Sequence, residues 1–185
     1  MFGERQMMIT GLVMAVAFFM ISRSKPLKKL SPERPPTSIF APRLFLSLLG
    51  QFAVHLAALY YLTEIAREYV PYGPKNSIDS EFRPSVINTV IFLLSIAQQV
   101  NVFTVNYKGR PFMQGLIDNR MLLRSLLFTG GIVLLCTAEI SPELNELMEL
   151  TPWPNEGLQF QVASFIFGDF FGAWGWDKLM GLIFG

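Results

Sequence analysis

Histidine and cysteine occur once each in this chain of 185 residues, as His55 and Cys136. A single cysteine excludes an internal disulfide and any cysteine-built metal site. A lone histidine with no acid beside it in sequence makes a poor metal centre; a neutral imidazole hydrogen-bonded to a facing helix is the simpler reading. Charge is scarce too: 16% of residues are charged and the net charge is +1. That removes the concentrated basic face that nucleic-acid phosphates require. The sequence also lacks a Gly-rich phosphate loop, a zinc signature and a nucleophile elbow. It has no internal repeat and no low-complexity tract. What it has in excess is apolar surface: 51% of residues are hydrophobic and the mean hydropathy is +0.39. The natural solvent for most of such a chain is lipid.

Crossing a bilayer takes about 20 largely apolar residues. Leu44–Leu62, Val86–Val105 and Leu158 to about Phe184 fit, the last with interruptions; Met7–Ser22 and Ser125–Ile140 are shorter and flanked by polar residues. Met7–Met20 also has the length of a signal-peptide core, and Ala15-Val16-Ala17 mimics a cleavage site. The residues before it hold one Glu and one Arg rather than a basic leader, and four more apolar segments follow, so a span is preferred. The expected architecture is an all-α membrane protein forming a single transmembrane domain, with spans at about 6–22, 43–66, 85–106, 121–140 and 158–184.

The connecting loops alternate in charge. Loop 23–42, with Arg43 just beyond it, carries Arg23, Lys25, Lys28, Lys29 and Arg34 against Glu33, and its prolines, from Pro26 to Pro36, disfavour a long helix. Loop 67–84 is broken by Pro71, Gly73 and Pro74, and its acids, with one just before it, are Glu64, Glu68, Asp79 and Glu81. Loop 107–120 is basic, with Lys108, Arg110 and Arg120, and Arg124 follows; loop 141–157 has no Lys or Arg and holds Glu143, Glu146, Glu149 and Glu156. Basic loops face the cytosol, which sets the amino terminus on the opposite side of the membrane and the carboxyl terminus in the cytosol. Within the last loop, Ser141-Pro142-Glu143 reads as a helix start: a capping serine, proline at the first helical position and an acid in the first turn.

Polar residues inside the apolar runs are the candidates for function. Asp169 sits deep in the last span, where an acid costs roughly 2.5–3.5 kcal/mol on insertion scales. It reads either as a substrate or ion contact or, preferred, as a polar clamp to another helix. Gln98 and Asn101, three apart on the third span, share one helix face; with Asn88 and Gln99 they line a polar cavity or, preferred, join helices by hydrogen bonds. The first span is nearly free of polar side chains and rich in Met and Phe, including Met14 and Phe18, an adaptable apolar surface poor in oxygen ligands for a hard cation.

Several stretches, in order, resemble one family. Ser22-Arg23-Ser24-Lys25-Pro26-Leu27-Lys28-Lys29-Leu30-Ser31-Pro32-Glu33-Arg34-Pro35 resembles the loop after the sixth membrane helix of type V, subgroup A, P-type ATPases, the endoplasmic-reticulum members of that group. Gln51-Phe52-Ala53-Val54-His55 is similar to their seventh helix. Glu81-Phe82-Arg83-Pro84-Ser85-Val86-Ile87-Asn88-Thr89 and Val105-Asn106-Tyr107-Lys108-Gly109-Arg110-Pro111-Phe112 are similar to the entry and exit of the eighth. Ala138-Glu139-Ile140-Ser141-Pro142-Glu143-Leu144-Asn145-Glu146 resembles the loop before the tenth. The resemblance covers nearly the whole chain and implies five helices corresponding to helices six to ten of the family's membrane domain.

The family's phosphorylated Asp-Lys-Thr-Gly-Thr string and its Thr-Gly-Glu loop are absent here, and the first five membrane helices have no counterpart. The expectation is a carboxyl-terminal membrane part, inactive by itself, of an ATP-driven translocase that removes mistargeted or misinserted transmembrane helices from the endoplasmic-reticulum membrane. ATP and magnesium are implied for the full-length parent and no cofactor for this chain. The implied partners are the bilayer, the amino-terminal ATPase part and the transmembrane helices of clients, with no nucleic acid. Met14, Phe18, Gln98, Asn101 and Asp169 are the candidate substrate-binding residues, with no catalytic or metal-binding residue. The competing readings are a non-enzymatic membrane scaffold or truncated gene product and, less well supported without repeats or broken helices, a small secondary transporter using Asp169.

Overall fold

The computed structural model describes residues 2–29, 32, 38, 40–69 and 83–184. Residues 1, 30–31, 33–37, 39, 70–82 and 185 lie outside the described residues, and with them Glu33, Arg34, Pro35 and Pro36 of the first basic loop, and Asp79 and Glu81 of the first acidic one. The described residues form six α-helices and no named strand: α1 (Glu4–Ser22), α2 (Pro42–Arg67), α3 (Val86–Asn106), α4 (Arg120–Thr137), α5 (Pro142–Leu147) and α6 (Glu156–Phe184).

Helix starts follow local chemistry. The Ser85 hydroxyl accepts from Asn88 N at 3.2 Å, and Asn119 Oδ1 accepts from Leu122 N at 3.1 Å. The Ser141 hydroxyl accepts from Leu144 N at 3.4 Å with Pro142 at the first position, and Asn155 Oδ1 accepts from Leu158 N at 2.8 Å. Each cap satisfies a backbone donor that the helix leaves orphaned. α2 has no side-chain cap but starts on Pro42, whose missing N–H costs nothing there.

α3 is the central helix. Val90, Phe92, Leu93, Leu94 and Ile96 are buried, and α2, α4, α6 and α1 all pack against it. The broadest contact is α2 against α6. There Gly50 faces Trp176 so closely that a Cβ would fall inside the indole, and Trp176 Nε1 donates to the Leu46 carbonyl at 2.9 Å. Further along, a Cβ on Gly172 would meet Val54 at 3.1 Å. Small residues let two backbones approach closely, the packing mode that drives helix association in lipid.

Many large apolar side chains also lie on the outside. Phe18, Phe19, Leu49, Phe52, Phe128 and Phe160 are all exposed. α1–α4 are long and apolar enough to cross a membrane. α6 is not among those four, because Gln159, Gln161, Asp169, Asp177, Lys178 and its glycines dilute its apolar content. Its 29 residues reach about 43 Å at 1.5 Å per residue, against a hydrocarbon core of about 30 Å.

Two loops at one end of the bundle are clasped. Leu27 N donates to the Phe112 carbonyl at 2.9 Å and Gln114 N to the Lys25 carbonyl at 3.0 Å, around an antiparallel bridge between Pro26 and Met113. The Tyr107 hydroxyl donates to the Gln114 carbonyl at 3.0 Å and lies 2.7 Å from the Ser24 hydroxyl. At the other end, α5 and the turn after it fold back on α1. Gln6 and Asn88 exchange amide hydrogen bonds of 2.9 and 3.0 Å, and Gln6 Nε2 also donates to the Met148 carbonyl at 3.2 Å.

Candidate functional site

Three helices each bring polar groups to one point in the middle of the bundle. Gln98 and Asn101 project from the same side of α3, as their spacing requires, His55 comes from α2 and Asp169 from α6. His55 Nδ1 donates to the Asp169 carboxyl group, at 2.8 Å from Oδ1 and 3.0 Å from Oδ2. Gln98 Nε2 donates to Asp169 Oδ1 at 3.1 Å and to the His55 carbonyl at 2.9 Å, and Asn101 Nδ2 donates to Asp169 Oδ2 at 2.8 Å. Asp169 is 3% exposed and Asn101 2%.

A carboxyl group in an apolar bundle is tolerable only when its oxygens are filled. Here both are, by three donors from two other helices, so Asp169 binds α6 to α2 and α3. Three buried polar atoms of these spans have no hydrogen-bond partner among the described residues: His55 Nε2, Gln99 Oε1 and Asn101 Oδ1. With Nδ1 donating, a neutral His55 carries its lone pair on Nε2.

A second polar chain continues toward the clasped end. Gln51 and Asn106 exchange hydrogen bonds of 3.2 and 2.9 Å, Gln51 Nε2 donates to the Ser47 hydroxyl at 3.0 Å, and Ser47 donates to Asp177 Oδ1 at 2.9 Å. Lys108 Nζ closes the chain on Asp177 Oδ2 at 2.9 Å.

Beside the Asp169 cluster, α1, α2 and α3 enclose a groove of about 430 Å³. Met14, Phe18, Phe52, His55, Gln98 and Phe103 are among its walls. Phe18 stands 57% exposed at its edge, with its ring edge-on to Phe103 at 5.4 Å between centroids. The structure therefore brings Met14, Phe18 and Gln98 together on one surface. Asn101 and Asp169 do not line that groove; they lie behind it and reach it through Gln98 and His55.

Sequence reasoning on its own missed the partner of His55. The signal was there, in that a lone ionisable group in an apolar span seeks another, and Asp169 is the one acid well inside the final run. The Gln6–Asn88 exchange was missed as well, since Gln6 lies outside the apolar core of the first run. Among the described residues no three His, Cys, Asp or Glu side chains gather where a metal ion could sit.

No family model matches the chain. Individual curated proteins do. It is 39% identical over 183 residues to a protein of Saccharomyces cerevisiae named endoplasmic reticulum transmembrane helix translocase, covering 99% of this chain and 15% of that protein. It is 38% identical over 173 residues to a protein of Aspergillus fumigatus with the same name followed by spfA, covering 94% of this chain and 13% of that protein. A protein of Arabidopsis thaliana named probable manganese-transporting ATPase PDR2 is 35% identical over 178 residues, covering 96% of this chain and 15% of that protein. The chain thus spans a small part of the length of the relatives it matches, and its described residues hold four helices long and apolar enough to cross a membrane. By sequence the chain is homologous, along nearly its whole length, to a small part of proteins named endoplasmic reticulum transmembrane helix translocases, the type V, subgroup A, P-type ATPases.

Proposed function

We propose that this chain is the carboxyl-terminal membrane part, helices six to ten, of an ATP-driven translocase that removes mistargeted or misinserted transmembrane helices from the endoplasmic-reticulum membrane. The observation that carries the reading is the 39% identity along 99% of the chain to a protein of that name. In this assignment α1 to α4 are helices six to nine and α6 is the tenth and a fifth crossing. The basic loops face the cytosol, the acidic ones the lumen, and α1 runs from lumen to cytosol. ATP and magnesium act in parts of the parent outside this chain, which contributes no catalytic residue of its own.

The groove between α1, α2 and α3 suits a helical client. Its walls are apolar and adaptable at Met14 and Phe18, and Gln98 offers a polar contact for a segment of only moderate hydrophobicity. Asn101 and Asp169 act one layer back, holding Gln98 and His55 in place. The name of the Arabidopsis relative raises manganese as the alternative cargo. Against it stands the geometry of Asp169: a hard cation takes six or more oxygen ligands for calcium and near-octahedral oxygen for magnesium-sized ions, whereas here the single carboxylate is already filled by three donors.

The test places a photo-crosslinking amino acid at Phe18 or, on the far side of the bundle, at Leu127, in the full chain inserted in reticulum-derived membranes. A moderately hydrophobic transmembrane peptide is added. Crosslinking at position 18 that exceeds position 127 and is competed by unlabelled peptide is expected. Equal crosslinking at both positions, or competition by manganese instead of peptide, sinks the assignment of the groove. A stable partner that no peptide displaces would describe a scaffold.

A further inference from the structure

On the face of α3 turned away from that groove lies a second one, and it owes nothing to the translocase reading. It runs between α3, α4 and α6, holds about 400 Å³ and is walled by Val100, Leu127, Gly130, Gly131, Phe167 and Phe170, among others. Two glycines open it. A Cβ on Gly131 would meet nothing within 4 Å, and one on Gly130 would meet only Val100, at 3.9 Å. The space at Gly131 is therefore vacant, unlike the tight approach at Gly50.

The α4 wall continues into positive charge. Arg120, Arg124, Leu127, Gly131 and Leu134 recur every three to four residues and so share one stripe of the helix. Both arginines are exposed, and the side chain of neither makes an ion pair or hydrogen bond among the described residues. The described acids nearby at this end are already engaged: Asp177 with Lys108 at 2.9 Å and Asp118 with Arg110 at 3.6 Å. An apolar slot about the size of one acyl chain thus opens, at the helix end where membrane meets water, below two guanidinium groups with no anion among the described residues.

We propose that this groove is a binding site for an anionic phospholipid, one acyl chain lying along Leu127, Gly131 and Phe170 and the phosphate held by Arg120 and Arg124. The guanidinium fork matches phosphate oxygens bidentately, and basic residues just outside a span attract anionic headgroups. A second transmembrane helix is the less suitable occupant, because it would have to bring its own acids to the same end of the stripe.

Two measurements on the full purified chain in detergent micelles test this. First, native mass spectrometry with added phosphatidylinositol or phosphatidylcholine: retention of the former is expected to dominate. Arg120→Gln with Arg124→Gln should cut the preference by roughly fivefold per arginine while leaving phosphatidylcholine retention unchanged. Gly131→Leu, which fills the slot, should lower retention of both. Second, a photoactivatable phosphatidylinositol on the unmutated chain, which needs no variant to fold: crosslinks should concentrate at residues 123–134 and 166–171 and resist soluble glycerophosphate. Equal retention of the two lipids, crosslinks spread evenly around all helices, or displacement by glycerophosphate would each overturn the proposal.

Discussion

Replacing Asp169 by alanine removes one acceptor group and strands three donors, His55 Nδ1, Gln98 Nε2 and Asn101 Nδ2. Interhelical hydrogen bonds in membrane proteins average about 0.6 kcal/mol and reach about 1.7, so three of them put the loss of helix association at about 2–5 kcal/mol. Asp169→Asn keeps one acceptor oxygen but turns an amide against donors, and about half that loss is expected, roughly 1–2 kcal/mol. Insertion responds in the opposite sense: removing the acid relieves roughly 2.5–3.5 kcal/mol at a span centre, so Asp169→Ala inserts at least as well as the parent. The assay is reversible unfolding of the full chain from mild micelles by added dodecyl sulfate, followed through Trp174 and Trp176 on the same helix. A double-mutant cycle with Asn101→Ala should return a coupling of about 0.6–1.7 kcal/mol. Asp169→Ala within about 0.5 kcal/mol of the parent, with no coupling to Asn101, would refute the clamp.

Other perturbations follow from the same contacts. Gly50→Ala drives a methyl into the Trp176 indole and breaks its bond to the Leu46 carbonyl; a loss of about 1–3 kcal/mol is expected, largely recovered in the double variant with Trp176→Leu, and additivity of the two changes would contradict the contact. Gln6→Leu removes both hydrogen bonds of the exchange with Asn88 and releases the Met148 carbonyl, destabilising by about 1–3 kcal/mol, which the same unfolding assay checks. Cys136 is 1% exposed and packs its sulfur 3.6 Å from that of Met148, so a maleimide should label it only after unfolding; rapid labelling of the folded chain would place α4 differently. Incubation of the purified chain with ATP should yield no acid-stable phosphoaspartate, since the phosphorylation string is absent.

The all-helical class was legible because long apolar runs ended at prolines, glycines and charges, and lipid-facing helices leave few other choices. The cap at Ser141-Pro142 was legible from residue type alone, and so was the shared face of Gln98 and Asn101 from their spacing. What spacing cannot give is how helices are rotated against each other. That rotation puts His55 against Asp169 and Gln6 against Asn88, pairs 114 and 82 residues apart. It also sorts the five candidate residues into two layers, with Met14, Phe18 and Gln98 on a groove and Asn101 and Asp169 behind it. The last apolar run shows the opposite difficulty: hydropathy undervalues α6 in part because Asp169 is consumed inside the bundle rather than offered to lipid.

The most direct test of the assignment is a replacement. The segment of the Saccharomyces cerevisiae relative that this chain matches is exchanged for residues 1–185, and ATP hydrolysis by the purified chimera is measured while a moderately hydrophobic transmembrane peptide is titrated in. The expected result is peptide-stimulated hydrolysis that Phe18→Ala or Gln98→Leu weakens and Leu127→Ala does not. A chimera that hydrolyses ATP in response to manganese but not to the peptide, with all three variants alike, would contradict the helix-translocase reading.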